Sequence, residues 1–366
     1  MAGLGGWYAR RWRKRAAAGG GQRGGRVAVK ALVVDSLGPQ GALSWREHDE
    51  PKLAPGSVLV KVAAVAVDWA DVMQAQGRYP GGPVPPFVSG SGFAGTVTDS
   101  DIARLPAGTA VFGMHPDAKL LWGSLAPGAD PGGAAAEIIC VKDGMVFPTP
   151  VNLSHVEAAG IIGQFVTAYA AVRVFGRAGP GDKVLVHAGA GAFGSAAIQL
   201  CRAAGVTTVI GTAGSPAKLE FMAGIGASHA INYNAEPFAG RVTAIAGGGV
   251  DLIIDSVGGD TLAASFDCIA PFGRIVSVGA SSGKGTSRLR LHTLLTKSIS
   301  VAGLELGVMI RDPALFNATV TELSGQFERG ELTSIVGAVF PVTDAAAAHA
   351  HLTSRANTGR TVLTLP

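Results

Sequence analysis

Residues 183–205 read KVLVHAGAGAFGSAAIQLCRAAG, and this stretch decides the fold. An apolar run, VLVHA, leads into Gly189-x-Gly191-x-x-Gly194; helix-type text follows, and then a second apolar run, TTVIGT (207–212). Strand, glycine turn, helix and strand in this order suit a dinucleotide. Gly189 permits the tight turn, Gly191 lets the backbone approach a pyrophosphate, and Gly194 allows close helix–strand packing. Ala192, Phe193 and Gly194 then open a helix whose unpaired N–H groups face the phosphates. Spacing alone decides little, because 53 of the 366 residues are glycine. The same pattern occurs at Gly19-Gly21-Gly24, with no strand before it, and at Gly90-Gly92-Gly95, which precedes a strand rather than a helix.

Outward from this motif the alternation continues. Apolar runs AIN (230–232), DLIIDSV (251–257), RIVSVGA (274–280) and ISVAGL (299–304) are separated by helix-length segments, which predicts a parallel sheet with helices on both faces. Upstream, residues 152–176 read as a helix with Asn152 or Ser154 as N-cap. Before that, AVKALVVD, SVLVKVAAVAV and FAGTVTD are punctuated by Gly and Pro, as in short antiparallel strands. The end of the chain mixes a helix with short strands. The expected division is a basic tail at 1–26, a β-rich domain at 27–150 completed by 305–366, and an inserted nucleotide-binding domain at 151–304.

The net charge of +4 belongs to one segment. Residues 1–30 hold eight bases and no acid; the other 22 bases and 26 acids leave residues 31–366 at −4. The globular part gives no electrostatic case for nucleic acid. The Arg-rich start permits a transit peptide, but it lacks Ser and helical amphipathicity, and the plainer reading is a disordered tail. No 18-residue run is free of Gly and polar breaks, so no membrane partner is expected. Cys140, Cys201 and Cys268 have no short spacing, which excludes a disulfide scaffold and points to a reducing, cytoplasmic setting.

The nucleotide follows from the second strand. An NAD site usually places a carboxylate at its end to accept from the ribose 2′-OH. Here the strand ends Val209-Ile210-Gly211-Thr212-Ala213-Gly214-Ser215 without one, and Lys218 follows. The hydroxyls of Thr212 and Ser215 with the Lys218 cation favour a 2′-phosphate, hence NADPH. Lys218 alone would read as a solvated helix residue.

The segments KVLVHAGAGAFGSAAIQLCRAAG, GTAGSPAKLEFMAGIGASHAINY and VDLIIDSVGGDTL resemble the nucleotide domain of medium-chain dehydrogenases/reductases, in the zinc-independent quinone oxidoreductase branch. VLVKVAAVAVDWADVMQAQGRYP, PPFVSGSGFAGTV and SRANTGRTVLTLP extend the resemblance over about residues 28–366. It implies an α/β protein with a GroES-like catalytic domain, an inserted Rossmann domain and a homodimer joined through the ISVAGL region. It also implies Thr167 and Gly279 beside the cofactor, and Lys218, Tyr233 and Arg355 around its 2′-phosphate. Tyr79 matches a tyrosine near the substrate pocket, its alternative being a loop aromatic packed on the domain edge.

Zinc-using members carry an early Cys and a His-Glu pair; AVAVDWADVM and Gly90–Gly95 have neither, so no metal is expected. Three positions depart from the branch: Asp68 for the usual Asn, Met73 for a tyrosine found in some relatives, and Gly92 for a glutamate. Asp68 becomes a candidate acid or base if burial raises its pKa. The implied reaction is hydride transfer from NADPH to a quinone or an α,β-unsaturated carbonyl, with the proton from Tyr79 or solvent. An enoyl reductase and an NADPH-binding protein with little catalysis are the alternatives.

Overall fold

The computed structural model describes residues 28–39, 42–115, 133–284 and 289–366; the basic segment 1–26 lies outside them. The chain opens with β1 (Ala28–Ser36), β2 (Ala42–Asp49), β3 (Ser57–Val67), β4 (Phe87–Val88), β5 (Gly92–Ser100), β6 (Ala110–Met114), β7 (Ile138–Lys142) and β8 (Val146–Pro148). Six strands alternating with helices follow: β9 (Lys183–Val186), β10 (Thr208–Ala213), β11 (His229–Asn232), β12 (Val250–Asp255), β13 (Ile269–Ser277) and β14 (Ser300–Gly303). The chain ends with β15 (Val336–Pro341) and β16 (Arg360–Thr364).

The six middle strands form one parallel sheet in the order β11-β10-β9-β12-β13-β14. The order reverses between β9 and β12, and ligands of open α/β sheets bind outside the carboxyl ends of the strands at such a reversal. The β-rich part holds a small sheet, β2-β1-β4, and a larger one, β15-β16-β3-β5-β6-β8, with β7 also on β3. In the larger sheet β16 pairs antiparallel with β3, so the end of the chain closes the domain that its beginning started. The closing segment holds more helix than expected: Leu306–Ile310, Pro313–Glu328 and Ala345–Thr353.

Between the two large sheets runs the helix His155–Phe175. Ser154 caps it: its Oγ accepts from the Glu157 N–H, while the Glu157 carboxylate accepts from the Ser154 N–H at 2.8 Å. Asn152, the other candidate cap, instead donates its side-chain amide to the Phe327 carbonyl. Two stretches, Ile161–Val166 and Ala170–Phe175, are wound as π-helix. The helix is long and apolar enough to cross a bilayer, but 67% of its apolar window is buried within the protein. Ile161, Ile162, Phe165 and Val166 pack into the central core, where Phe165 meets Phe327 edge-on at 4.8 Å between ring centroids.

The glycine turn is fixed by contact. A Cβ on Gly194 would lie 2.3 Å from the Ala188 carbonyl oxygen, so the helix Ala192–Ala203 approaches β9 more closely than any side chain permits. The left-handed residue of the turn is Ala188 (φ +51°). What Gly189 provides is room: its Cβ would lie 2.6 Å from Met222 Sδ. Gly194→Ala is expected to cost about 1–3 kcal/mol of unfolding free energy in urea melts. Gly240→Ala, inside the helix Phe238–Ala246 with open space around an added Cβ, should instead gain about 0.5–1 kcal/mol. Equal effects at the two positions would refute the close-packing account.

Candidate active site

Three groups of residues stand at the carboxyl side of the parallel sheet and the facing edge of the β-rich part. The first surrounds the glycine turn and the end of β10. Gly191 caps the helix Ala192–Ala203 without a side-chain partner, and Gly191, Ala192 and Phe193 keep partial exposure, so the first-turn N–H groups are open to a ligand. The C-terminal segment docks here, with the Gly359 N–H donating to the Ala190 carbonyl at 2.8 Å. It brings Arg355 to Lys218, whose Nζ donates to the Arg355 carbonyl at 2.7 Å. Partial burial and the Arg355 cation both press the Lys218 pKa down. No carboxylate among the described residues pairs with either cation. Ser215 caps the next helix without a side-chain bond, and the Tyr233 hydroxyl lies against Gly214. Two adjacent cations, a phenol and a free hydroxyl at a carboxylate-free strand end can hold a dianionic phosphate.

Thr212 does not join this group. It is buried, and its hydroxyl donates to His187 Nδ1 at 3.1 Å, while His187 Nε2 meets the Ser265 hydroxyl at 3.0 Å. Because Ser265 Oγ itself donates to the Thr261 carbonyl, the network assigns the proton of His187 to Nε2. Burial pushes this histidine down to about 3, so it is a neutral core residue. The sequence-based role of the Thr212 side chain is therefore corrected: it locks β10 to the helix Gly259–Ser265 by way of His187.

The second group lies under the helix His155–Phe175. Thr167 is partly exposed, and its hydroxyl donates to the Gly163 carbonyl at 2.7 Å. Asp68, at the start of the helix Trp69–Ala75, sits one turn away: a Cβ on Gly163 would fall 2.7 Å from Asp68 Oδ2. Gln164 Nε2 donates to Asp68 Oδ1 at 2.8 Å, and its Oε1 accepts from Arg360 Nε at 2.6 Å. Arg360 on β16 is 1% exposed and also donates to the Glu157 carbonyl (2.8 Å) and Ser334 Oγ (3.2 Å). A Cβ at Gly160 would lie 2.3 Å from Arg360 Nε, so Gly160 makes room for the guanidinium as Gly163 does for Asp68. Burial lifts the Asp68 pKa against the opposing pull of Gln164 and Arg360. Asp71, whose Oδ2 accepts the Asp68 N–H at 2.7 Å, is pushed up to about 8 by burial and by the Asp68 charge. Gln164 and Arg360 escaped the sequence reading; their only signal was a polar residue in an apolar helix and a cation in an apolar strand.

The third group is the loop carrying Tyr79, anchored by its N–H to the Met73 carbonyl at 3.1 Å. Burial, Glu305 and Asp71 all raise the phenol pKa, so Tyr79 stays protonated as a donor. Gly279 and Glu305 line a cavity of about 930 Å³ bordered by residues that follow β12, β13 and β14; Tyr79 and Thr167 do not line it. The departure at Gly92 has a steric cause, since a Cβ there would lie 2.7 Å from the Ala159 carbonyl oxygen. Among the described residues no group of three or more His, Cys, Asp or Glu is placed to hold a metal ion.

The strand order and the glycine turn are those of a dinucleotide-binding Rossmann domain. Residues 54–151 match the alcohol dehydrogenase GroES-like domain, and residues 192–324 match the family described as zinc-binding dehydrogenase. The chain is similar to a quinone oxidoreductase of Pseudomonas aeruginosa, at 31% identity over 339 residues, covering 92% of this chain and 99% of that one. It is 28% identical over 355 residues to the synaptic vesicle membrane protein VAT-1 homolog of Mus musculus, covering 92% of this chain and 83% of that one. A mycobacterial protein solved in complex with NADPH superposes with a TM-score of 0.81 at 28% identity, covering 92% of this chain and 99% of that one. The chain belongs to the medium-chain dehydrogenase/reductase family, in its quinone oxidoreductase-like branch. It is an oxidoreductase of the nicotinamide-dependent kind.

Arg360→Met would leave Gln164 and Asp68 buried without their cation, which is expected to cost about 3–5 kcal/mol of unfolding free energy. A loss below about 1 kcal/mol in urea titration would show that the network bears little on stability.

Proposed function

We propose that the protein is a metal-free, NADPH-dependent reductase acting on quinones or on C=C bonds conjugated to a carbonyl. The observation that carries the cofactor choice is the uncompensated pair Lys218 and Arg355 beside Tyr233 and Ser215 at a strand end lacking a carboxylate. The acceptor class rests on similarity to the quinone oxidoreductase of Pseudomonas aeruginosa.

In this reading the N–H groups of Ala192, Phe193 and Gly194 bind the pyrophosphate, while Thr167 and Gly279 flank the nicotinamide. Bound NADPH supplies the hydride. The chain's own part is to orient the acceptor and stabilise the oxygen that becomes negative. In this reading Tyr79, kept protonated by burial and by Glu305 and Asp71, is the hydrogen-bond donor to that oxygen. The reading extends to a cytoplasmic homodimer acting on a small molecule. Among the described residues β14 pairs only with β13, at the edge of the sheet, and Leu291 and Leu295 are exposed one turn apart on the preceding helix.

Lys218→Ala and Arg355→Ala should each weaken NADPH binding about five- to tenfold and leave NADH binding within about twofold, by fluorescence titration. Equal losses for both nucleotides would reject the phosphate site. Stopped-flow loss of NADPH absorbance against a panel of quinones and enones tests the activity. Tight NADPH binding with no acceptor reduced would favour a binding protein with little catalysis.

A further inference from the structure

At about 930 Å³, the cavity at the carboxyl ends of β12, β13 and β14 is the size of pockets that hold drug-sized ligands, roughly 300–1,000 Å³. Phe175 at the end of the central helix, Leu262 from the helix after β12, Leu304 after β14, and Met309 and Leu315 from the two helices beyond give it an apolar interior. Among its described lining residues only Ser277, Glu305 and Asp312 carry polar side chains, and both acids are turned onto backbone. The Glu305 carboxylate accepts from the Gly307 and Val308 N–H groups at 3.0 and 3.1 Å, and Asp312 accepts from the Leu315 N–H at 3.1 Å. No cation is among the described residues that line it. The cavity therefore has nothing to offer a phosphate or a carboxylate, whereas an apolar group gains by leaving water for it.

In the reductase reading, one end of this cavity adjoins the nicotinamide. Its wall includes Gly279 and Ala280, and the same loop runs on to Gly283, whose N–H donates to the Ala280 carbonyl at 2.9 Å. Arg78 lies over Gly283 so closely that a Cβ there would collide with the guanidinium. Arg78 precedes Tyr79, so the tyrosine loop of the β-rich part meets the loop that forms this end of the cavity. Glu305, on the cavity wall, is also a charge that acts on the Tyr79 phenol. We propose that the cavity holds an apolar chain of the acceptor, so that the substrates are quinones or enones carrying a long apolar tail rather than small bare ones. The inference rests on the reductase reading above and names the substrate class that reading leaves open.

The tail makes the same contacts before and during hydride transfer. Its burial should therefore lower KM and leave kcat nearly unchanged, as uniform binding does. Each methylene taken from water should raise kcat/KM about two- to fourfold until the cavity is filled. Val308, 57% exposed on the helix Leu306–Ile310, belongs to the lining at a place where a larger side chain has room. Val308→Trp should take up part of the space and shorten the chain length at which the rise stops.

The test is steady-state NADPH oxidation against alkyl-substituted benzoquinones and straight-chain enones, from methyl to decyl, each kept below its micelle-forming concentration. With the wild type, kcat/KM should climb, through KM, to a plateau about a hundredfold above the methyl compound. Val308→Trp should cut the decyl-to-methyl ratio of kcat/KM about tenfold. A wild-type kcat/KM that stays within about twofold across the series overturns the proposal. So does a Val308→Trp enzyme that slows methyl and decyl compounds equally. If a second copy of the chain covers the cavity instead, the series is flat and Val308→Trp changes the sedimentation coefficient, which also overturns it. A wild type that reduces no acceptor rejects the reductase reading itself. Calorimetric titration of the NADPH-loaded protein with saturated methyl ketones of the same chain lengths then reads the cavity alone: affinity should rise with each methylene, and an unvarying affinity overturns the chain site as well.

Discussion

The guanidinium of Arg360 is the tie between parts of the chain that are far apart in sequence. It is fully buried, and burial lowers its pKa to about 10, with Asp68 pulling the other way. A buried cation is stable only where every donor finds an acceptor and a counter-charge lies within reach. Here the acceptors are the Glu157 carbonyl, Ser334 Oγ and Gln164 Oε1, and the counter-charge is Asp68 at one remove. The last strand, the central helix and the first short helix are thereby held in one geometry. The aspartate that replaces the branch's usual asparagine is charge-matched from the opposite end of the sequence.

That tie explains the winding of the central helix. Gly160, Gly163 and Gln164 lie in or next to its first π-helical stretch, Ile161–Val166, and each contacts Arg360 or Asp68 or makes room for one of them. A π-turn costs helix stability and persists where side-chain contacts compensate. The apolar residues of the same segment, Ile161, Ile162, Phe165 and Val166, fill the core on the other faces. One helix therefore serves as core and as floor of the cleft, with Thr167 at the junction.

The legible part of the molecule was the part with a period. Alternating apolar runs gave all six parallel strands within a few residues, because a sheet covered on both faces needs continuous apolar strands. The glycine turn was legible through its context, although the division of labour among its glycines was not: a left-handed Ala188 and the closeness of Met222 to Gly189 depend on tertiary contact. Thr212 misled for a related reason. A hydroxyl at a strand end reads as ligand-facing, and only the buried His187 behind it reveals the inward turn. Asp68 stood out in the sequence, but its link to Gln164 and Arg360 was illegible because successive members of the line lie 96 and 196 residues apart.

The two polar centres differ in what they lack. Arg360 has its counter-charge in Asp68 by way of Gln164, so that network is held together by the protein's own groups. Among the described residues Lys218 and Arg355 have none, and partial burial, with the Arg355 cation, lowers the Lys218 pKa. Linkage then requires an anion bound between them to stabilise the folded protein by more than its own contacts supply, since it also removes a repulsion. Because Arg355 rides on the segment that hydrogen-bonds the glycine turn at Ala190, relief of that repulsion also holds the end of the chain against the dinucleotide loop. Under the proposed function, phosphate binding at Arg355 and closure of the β-rich domain by β16 would be coupled, because the two lie five residues apart along the chain.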